Sequence, residues 1–383
     1  MIDFDTLDQL EREVQEPKES KAAGPSLEDQ GWILIRPLNG LCNRLSAMLS
    51  AAVLAADTGR QVAVDWRITD TCGCSWDRLF AQSTLQVGAR TRVWLLTEEL
   101  LKKLEPMLCG IRILDRICPS ADEMNFASAM AARATLPPLQ LPCCGLACWL
   151  DLESPMWLEH PRCAGMPACD LPLALQAPCT VIAAFSEFYP SARLRDELVE
   201  VRSEILRALA PSPQVLRRTS ELPRGTVGVH IRRTDHEAAC SESPDSLFLE
   251  AMDKAAEELG PRFGAFFLAT DEPEVEELML QRYGNRLMCH KKRSLCRKTP
   301  EAIEDAFVDL LSLSKCDLIL GSFMSSFSAL AALLQQRPLR TVRKSVKRPS
   351  SSGPLRREVG PAGLSSEVCA ACAAASIPCP AMR

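Results

Sequence analysis

The stretch Thr226-Val-Gly-Val-His-Ile-Arg-Arg-Thr-Asp235 decides the fold. Its first part is mostly β-branched and follows a Pro-Arg-Gly turn, which predicts a buried strand over Thr226–Ile231. Ligands of open α/β sheets bind beyond the carboxyl ends of the strands, so Arg232 and Arg233 fall where a ligand is expected. Each guanidinium offers a planar fork of donors that matches phosphate oxygens. The alternative interpretation is a surface arginine pair bonded to carboxylates.

Downstream of this strand, the sequence alternates between strand and helix patterns. Apolar runs predict further strands at 264–269, 285–288 and 316–321. Helices are predicted at 245–259, 273–282, 301–314 and 327–335. The stretches 236–244 and 289–299 are predicted as loops, the second of them basic and exposed. This alternation predicts a doubly wound half-domain, in which three polar clusters should line one crevice: His230–Asp235, Thr270–Asp271 and Ser322–Ser328.

Upstream, a second β-α-β unit is predicted, with strands at 31–36 and 61–66 around a helix at 41–56. A turn at Gly40 precedes the helix, where backbone N–H groups and the helix dipole can meet an anion. Asn43 and Arg44 stand on the first turn of the helix and should point at this corner. Neither a dinucleotide-binding G-x-G-x-x-G nor a phosphate-binding G-x₄-G-K-S/T motif is present.

The residues between these two units carry weaker patterns. Helices are predicted at 95–104 and 191–209, and strands at 111–114 and 180–185. Residues 81–178 show no order beyond these elements, and the hinge between the two halves is expected at Pro211–Pro213.

Composition and charge exclude several classes of protein. A chain of 383 residues with 47% hydrophobic content is long enough for two globular domains. The formal charge of −5 argues against a nucleic-acid binder. The acidic N-terminus is unlike a signal peptide, and no apolar stretch is long enough to span a membrane. As written, the protein is expected to be cytoplasmic; the alternative is the lumen of the secretory pathway, if an N-terminal anchor is missing from the sequence.

Eighteen cysteines leave more than one interpretation open. Six of them fall within the proline-rich segment 143–179. Free thiols are the favoured interpretation and disulfides the alternative, because the spacings match no zinc pattern with paired C-x₂-C units. No metal site is predicted. An interaction module held by a metal or by disulfides would rest on these cysteines alone.

Four motifs in order resemble those of the fucosyltransferase-like proteins, which include α-1,6-fucosyltransferases, nodulation fucosyltransferases and O-fucosyltransferases. The resemblance covers about 31–80 and 224–335 but not the middle of the chain. The family patterns are G-L-G-N-R-L, H-V/I-R-R-T-D, L-A-T-D-D-P and A-x-x-D-x-x-x-L-S followed by S-S. The matching stretches are Gly40–Leu45, His230–Asp235, Leu268–Pro273 and Ala306–Ser326.

The resemblance implies an α/β protein of the GT-B type, with two Rossmann-like doubly wound domains facing a cleft. It implies inverting, metal-independent transfer of fucose from GDP-fucose to a glycan or protein hydroxyl, with no cofactor beyond this donor. The expected partners are a GDP-sugar and a glycan or glycoprotein acceptor. The predicted divisions are a disordered acidic head, an N-terminal domain with a Cys/Pro-rich insertion, a nucleotide-sugar-binding domain and a disordered basic tail, at 1–30, 31–212, 213–340 and 341–383.

The resemblance also implies roles for the residues of the central motif. Arg232 would hold the β-phosphate of GDP, and Arg233 would support the loop or contact a second oxygen. His230 and Asp271 would contact the guanosine. Asp235 is a further substrate-binding candidate, since an acid at this edge can meet a ribose hydroxyl or a base edge.

The remaining candidates come from the other motifs and from the loop after the arginines. Ser325 or Ser326 would contact the phosphates, and Asn43 and Arg44 would reach across the cleft. Glu242 is the candidate base that activates the acceptor hydroxyl.

Cys42 departs from the family pattern, in which this position is the second glycine. It adds a Cβ where backbone can approach the ligand. The departure favours the alternative function, a non-catalytic GDP-sugar-binding protein on the same scaffold.

Overall fold

The computed structural model describes residues 31–108, 147–152, 178–184, 187, 193–219, 221–234 and 237–344. These residues form two sheets, one with six strands and one with five. The strands pair in parallel except for one antiparallel pair at an edge of the first sheet. The predicted α/β architecture is therefore confirmed. The predicted domain boundary at 212/213 stays a prediction.

The first sheet has the order β3-β4-β2-β1-β6-β5. Its strands are β1 Trp32–Pro37, β2 Gln61–Val64, β3 Thr84–Val87, β4 Thr91–Leu95, β5 Ala147–Leu152 and β6 Cys179–Ala184. The helices of this part of the chain are α1 Leu41–Thr58, α2 Trp76–Leu79, α3 Glu98–Leu104, α4 Arg195–Ala208 and α5 Pro213–Leu216. β1 pairs with β2 on one side and β6 on the other, so the strand order reverses beside β1.

The second sheet has the order β11-β10-β7-β8-β9. Its strands are β7 Val227–Ile231, β8 Phe266–Thr270, β9 Leu287–Cys289, β10 Leu318–Ser322 and β11 Leu339–Val342. The helices are α6 Glu237–Glu242, α7 Asp245–Leu259, α8 Pro273–Tyr283, α9 Pro300–Lys315 and α10 Ser326–Leu334. The strand order reverses between β7 and β10, which is where doubly wound sheets bind ligands.

Helices from both halves share one hydrophobic core. Leu45 of α1, Leu310 of α9 and Leu330 of α10 are buried in the same cluster. The central strand β7 packs closely under α9, since a Cβ on Gly228 would lie 2.9 Å from Leu313 Cδ2 and 3.0 Å from Cys316 Sγ. The glycine inside this otherwise β-branched strand is therefore required by helix-on-sheet packing.

Several predicted boundaries were wrong. The stretch 236–244 contains the short helix α6, and β11 continues two residues past the predicted start of the disordered tail. Leu95 ends a strand, and the helix that was expected to begin there begins at Glu98. The predicted strand at 111–114, and the tail beyond 344, lie outside the described residues.

Candidate functional site

The candidate site lies at the point where the second sheet reverses its strand order. β7 and β10 pair in parallel with Gly321 opposite His230, so Arg232 follows β7 directly beside the end of β10. The backbone N–H of Arg232 donates to Ser322 Oγ at 2.9 Å, and Ser322 Oγ donates to the His230 carbonyl at 3.3 Å. Ser322 thereby holds the start of the arginine loop (residues 232–234) against β10.

The carboxylate of Asp271, one residue past β8, ties the arginine loop together. It accepts the backbone N–H of Arg233 at 2.8 Å, the hydroxyl of Thr234 at 2.7 Å and the guanidinium of Arg232. The side chains of Arg232 and Asp271 are 19% and 21% exposed. Hydrogen bonds to a charged group are the strong ones, so Asp271 shapes the loop that carries Arg232.

Arg233 belongs to the framework of the same loop. Its Nε donates to Asp245 Oδ1 at 3.1 Å, and its guanidinium also donates to the Arg232 carbonyl at 2.8 Å. The guanidinium carbon lies 5.9 Å from the ring centroid of Phe248. Asp245 is the first residue of α7, where a carboxylate is favoured by the helix dipole.

His230 is buried at the point where the second sheet reverses its strand order, which we call the corner, and it lacks a charge at neutral pH. Its ring stacks on Phe327 with centroids 4.6 Å apart and planes at 17°. Its Nδ1 lies 3.3 Å from Ser325 Oγ. Burial, and then the charge of Arg232, lower the pKa of His230 to about 3. A neutral imidazole can both donate and accept a hydrogen bond.

The first half of the chain meets this corner through α1. Asn43 Oδ1 accepts the hydroxyl of Ser326 at 2.9 Å, so these two predicted site residues touch across the two halves. Arg44 is instead buried in a network of its own. Its guanidinium donates to the Asn39 carbonyl at 2.7 Å, to Thr69 Oγ1 at 2.6 Å and to the Arg67 carbonyl. These bonds tie Arg44 to the loop between β2 and α2.

Two helices begin at this corner with their positive ends toward it. The cap residues, Gly40 of α1 and Ser325 of α10, supply no side-chain cap hydrogen bond to their helices, although the N–H of Gly40 itself donates to Asn39 Oδ1 at 2.9 Å. Such ends carry backbone N–H groups that favour an anion. Cys42, on the first turn of α1, is buried, and burial raises the pKa of its thiol although the charge of Arg232 opposes the rise.

Two predicted site residues stand apart from these contacts. Glu242 ends α6, where its backbone carbonyl accepts the N–H of Lys344 at 2.8 Å. Its role as a base stays a prediction. Asp235 lies outside the described residues. One partner that holds the arginine loop, Asp245, was missed, because an acid at a helix start carries no signal of a contact to a residue before that helix.

A cavity of about 520 Å³ opens beyond the ends of β8 and β9. Thr270, Glu276 and Lys292 are among the residues that line it.

Lys292 Nζ lies 2.5 Å from Asp309 Oδ2, and the lysine side chain is only 14% exposed. The prediction that 289–299 is an exposed loop was therefore wrong at this position. Burial raises the pKa of Asp309 to about 6, although Lys292 opposes the rise, and its Oδ1 has no hydrogen-bond partner among the described residues.

Three further features concern only the described part of the chain. No group of three or more His, Cys, Asp or Glu side chains there could hold a metal ion. No helix in those ranges is both long and apolar enough to cross a membrane. Eight of the cysteines placed there are free thiols, five of them buried.

Comparison with known proteins identifies the fold. No protein-family model matches the chain, and no curated protein matches it. A solved structure of a FUT1 point mutant from Arabidopsis thaliana in complex with GDP matches with a TM-score of 0.50 and 15% identity, over 83% of this chain and 71% of that one. This likeness shows that the chain has a fucosyltransferase-like fold of the GT-B type, as its motifs predicted.

Two other solved structures match with lower TM-scores. Fucosyltransferase NodZ from Bradyrhizobium matches at 0.46 and 16% identity, over 80% of this chain and 93% of that one. POFUT1 in complex with GDP matches at 0.44 and 14% identity, over 82% of this chain and 98% of that one.

Proposed function

We propose that this protein is a glycosyltransferase that transfers fucose from GDP-fucose to a hydroxyl of a glycan or protein, with inversion and without a metal ion or other cofactor. One observation carries the proposal. Arg232 lies at the reversal point of the second sheet, and the N-termini of α1 and α10 meet at the same corner, where Asn43 accepts the hydroxyl of Ser326. Fixed positive charge at this place suits a diphosphate.

The chemistry of the reaction needs this arrangement. When the sugar leaves GDP, negative charge develops on the diphosphate, and preorganised donors that face this charge lower the barrier by about 3 kcal/mol each. Arg232 is preorganised by the bonds from Asp271 and Ser322 to its loop. In the proposal, Arg232 contacts the β-phosphate, and Ser325 and Ser326 at the start of α10 contact the same diphosphate.

The nucleoside has a candidate place beyond the ends of β8 and β9. The cavity beside Thr270 measures about 520 Å³, within the range of small-molecule sites. We assign the guanosine to this cavity. The predicted contact of His230 with guanosine stays a prediction, because the His230 ring packs on Phe327 and does not line the cavity. Asp271 then acts by positioning Arg232, and its predicted contact with guanosine is secondary.

A second candidate function rests on Cys42. Its side chain is buried on the first turn of α1, at a position where the family pattern has glycine. A protein that binds a GDP-sugar at this corner without transferring the sugar is the alternative function.

Calorimetric titration of the full chain with GDP, GDP-fucose, GDP-mannose and UDP-glucose tests the proposal. GDP and GDP-fucose should bind, and Arg232→Ala should abolish binding. Arg232→Lys should keep only part of it, because lysine retains the charge but loses the planar fork. Arg282→Ala is the matched control, since Arg282 makes an exposed ion pair with Asp253. If no GDP species binds, the proposal fails.

Turnover separates the enzyme from the binding protein. GDP release from GDP-fucose should rise on addition of a glycan or glycoprotein acceptor and should be unchanged by EDTA. Glu242→Gln should lower kcat if Glu242 is the base. GDP-fucose binding without GDP release, across a panel of acceptors, would favour the alternative function. Release that stops with EDTA would contradict the metal-independent mechanism.

A further inference from the structure

A second cavity, of about 330 Å³, is lined by none of the residues of the corner described above. It lies among α4, α9 and α10, with Leu45 of α1 and Phe80 also on its wall. Protein interiors are packed as densely as organic crystals, and spaces larger than a water molecule are few. An opening of this size falls within the range of sites that hold small molecules.

The walls of this cavity are apolar and buried. Leu206, Leu209, Phe307, Leu310 and Leu330 line it, and all five are almost fully covered by protein. Walls of this kind offer no hydrogen bonds to water, so water gains little there. An aliphatic chain would recover the dispersion contacts that the walls lack.

The polar residues that line the cavity include two cations and no acid. Arg207 and Lys315 are both exposed, as is Gln335, whereas Thr219 is partly buried and Ser314 is buried. Arg207 lies 3.4 Å from Glu200, and this exposed ion pair contributes little to stability. Lys315 ends α9 and has no ion pair among the described residues. An anionic head group would therefore meet favourable charge at the edge of the apolar walls.

We infer that this cavity binds a free fatty carboxylate, with its aliphatic chain among the leucines and its head group at Arg207 and Lys315. An aliphatic ligand without a charged head group would contact the same apolar walls but would gain nothing from Arg207 and Lys315. The site is separate from the nucleotide-sugar corner, so its occupancy can be measured without GDP or turnover.

A series of probes tests the aliphatic part. Octanoate, decanoate and dodecanoate, each below its micelle concentration, are titrated calorimetrically into the full chain. Each added methylene should tighten Kd by about fourfold while the cavity still has room. Leu216 lines the cavity and is half-exposed, so Leu216→Trp fills the space without removing a core side chain, and it should weaken dodecanoate binding at least tenfold.

Charge variants test the head group. Lys315→Glu should weaken dodecanoate binding at least tenfold and leave dodecanol binding unchanged, which shows that the cavity itself is intact. Lys254→Glu is the matched control, an exposed helical lysine that does not line the cavity. Melting curves confirm that each variant is folded.

The inference is overturned if dodecanoate does not bind, if affinity does not depend on chain length, or if Leu216→Trp binds as tightly as the unchanged protein. A different result would point to a membrane surface as the ligand. In that case anionic vesicles would bind the unchanged protein and Leu216→Trp equally well, and the free carboxylates would bind neither.

Discussion

Replacing Asp271 by asparagine tests how the arginine loop is held. The asparagine has the same shape but loses the charge, and only one of its two terminal atoms can accept. Asp271 accepts three hydrogen bonds from residues 232–234. The side-chain amide of asparagine can keep one of them, the bond from the Arg233 backbone N–H. The bond to Arg232 is lost and that to Thr234 is weakened. At about 1.5 kcal/mol for each charge-assisted bond, the free energy of unfolding should fall by about 2–3 kcal/mol.

The loss should appear both in stability and in ligand affinity. The melting temperature should fall by about 4–6 °C, at about 2 °C for each kcal/mol in a protein of this size. Without its anchor, Arg232 must be ordered by the ligand itself, so GDP should bind about tenfold more weakly, or about 1.4 kcal/mol. Urea unfolding and calorimetric titration on the same preparation measure the two quantities.

Asp253→Asn is the control for this experiment. Asp253 also accepts an arginine guanidinium, from Arg282 at 3.0 Å, but the two side chains are 49% and 58% exposed. The control should cost less than about 1 kcal/mol and leave GDP binding unchanged. If Asp271→Asn behaves like the control, the arginine loop is not held by Asp271. If stability falls but GDP affinity does not, Asp271 stabilises the fold without positioning Arg232.

Three further changes have defined outcomes. Gly321→Ala should cost about 1–3 kcal/mol in urea unfolding, because its Cβ would lie 2.6 Å from Ser328 Cβ; no loss would mean that α10 can move. Met324→Gly should stabilise by about 0.5 kcal/mol, because Met324 has φ 54° in the left-handed region, and a loss would show that its side chain packs. Burial raises the folded-state pKa of Asp309 from 3.8 to about 6, so folding stability should fall as pH rises from about 4 to 6. Asp309→Asn should remove this dependence of stability on pH between about 4 and 6, although it leaves Lys292 without its partner. An unchanged slope would contradict the raised pKa of Asp309.

Strands and helices with a full buried face could be predicted from the sequence, whereas short elements could not. β7 and α1 are long apolar or alanine-rich runs, and their predicted positions are confirmed within two residues. α6 has only six residues, too few to show a helical period. β11 is exposed over three of its four residues, so its basic sequence resembles a solvated tail. It is a strand because it pairs with β10.

The position of the site could be predicted, but the partners of its side chains could not. Arg232 follows an apolar run, so its place at a strand end is a local property of the sequence. Asp271 is 39 residues from Arg232, and only the pairing of β7 with β8 brings the two together. Arg44 lies on the helix turn that was expected to face the cleft. The side chain bonds to the Arg67 carbonyl and to Thr69, 23 and 25 residues away.

The charges of the corner largely cancel before any ligand arrives, which bears on how a diphosphate would bind. Arg232 pairs with Asp271, and Arg233 pairs with Asp245. A diphosphate that contacts Arg232 must either displace Asp271 or share the guanidinium with it. Displacement is the costlier course, because Asp271 would stay held by the Arg233 backbone N–H and the Thr234 hydroxyl with its own charge uncompensated. A guanidinium has five N–H donors in a fixed plane, so it can bond a carboxylate and a phosphate together. If the guanidinium is shared, Asp271 stays bonded to Arg232 in the liganded state. Replacing Asp271 should therefore weaken GDP binding instead of freeing Arg232 for the ligand.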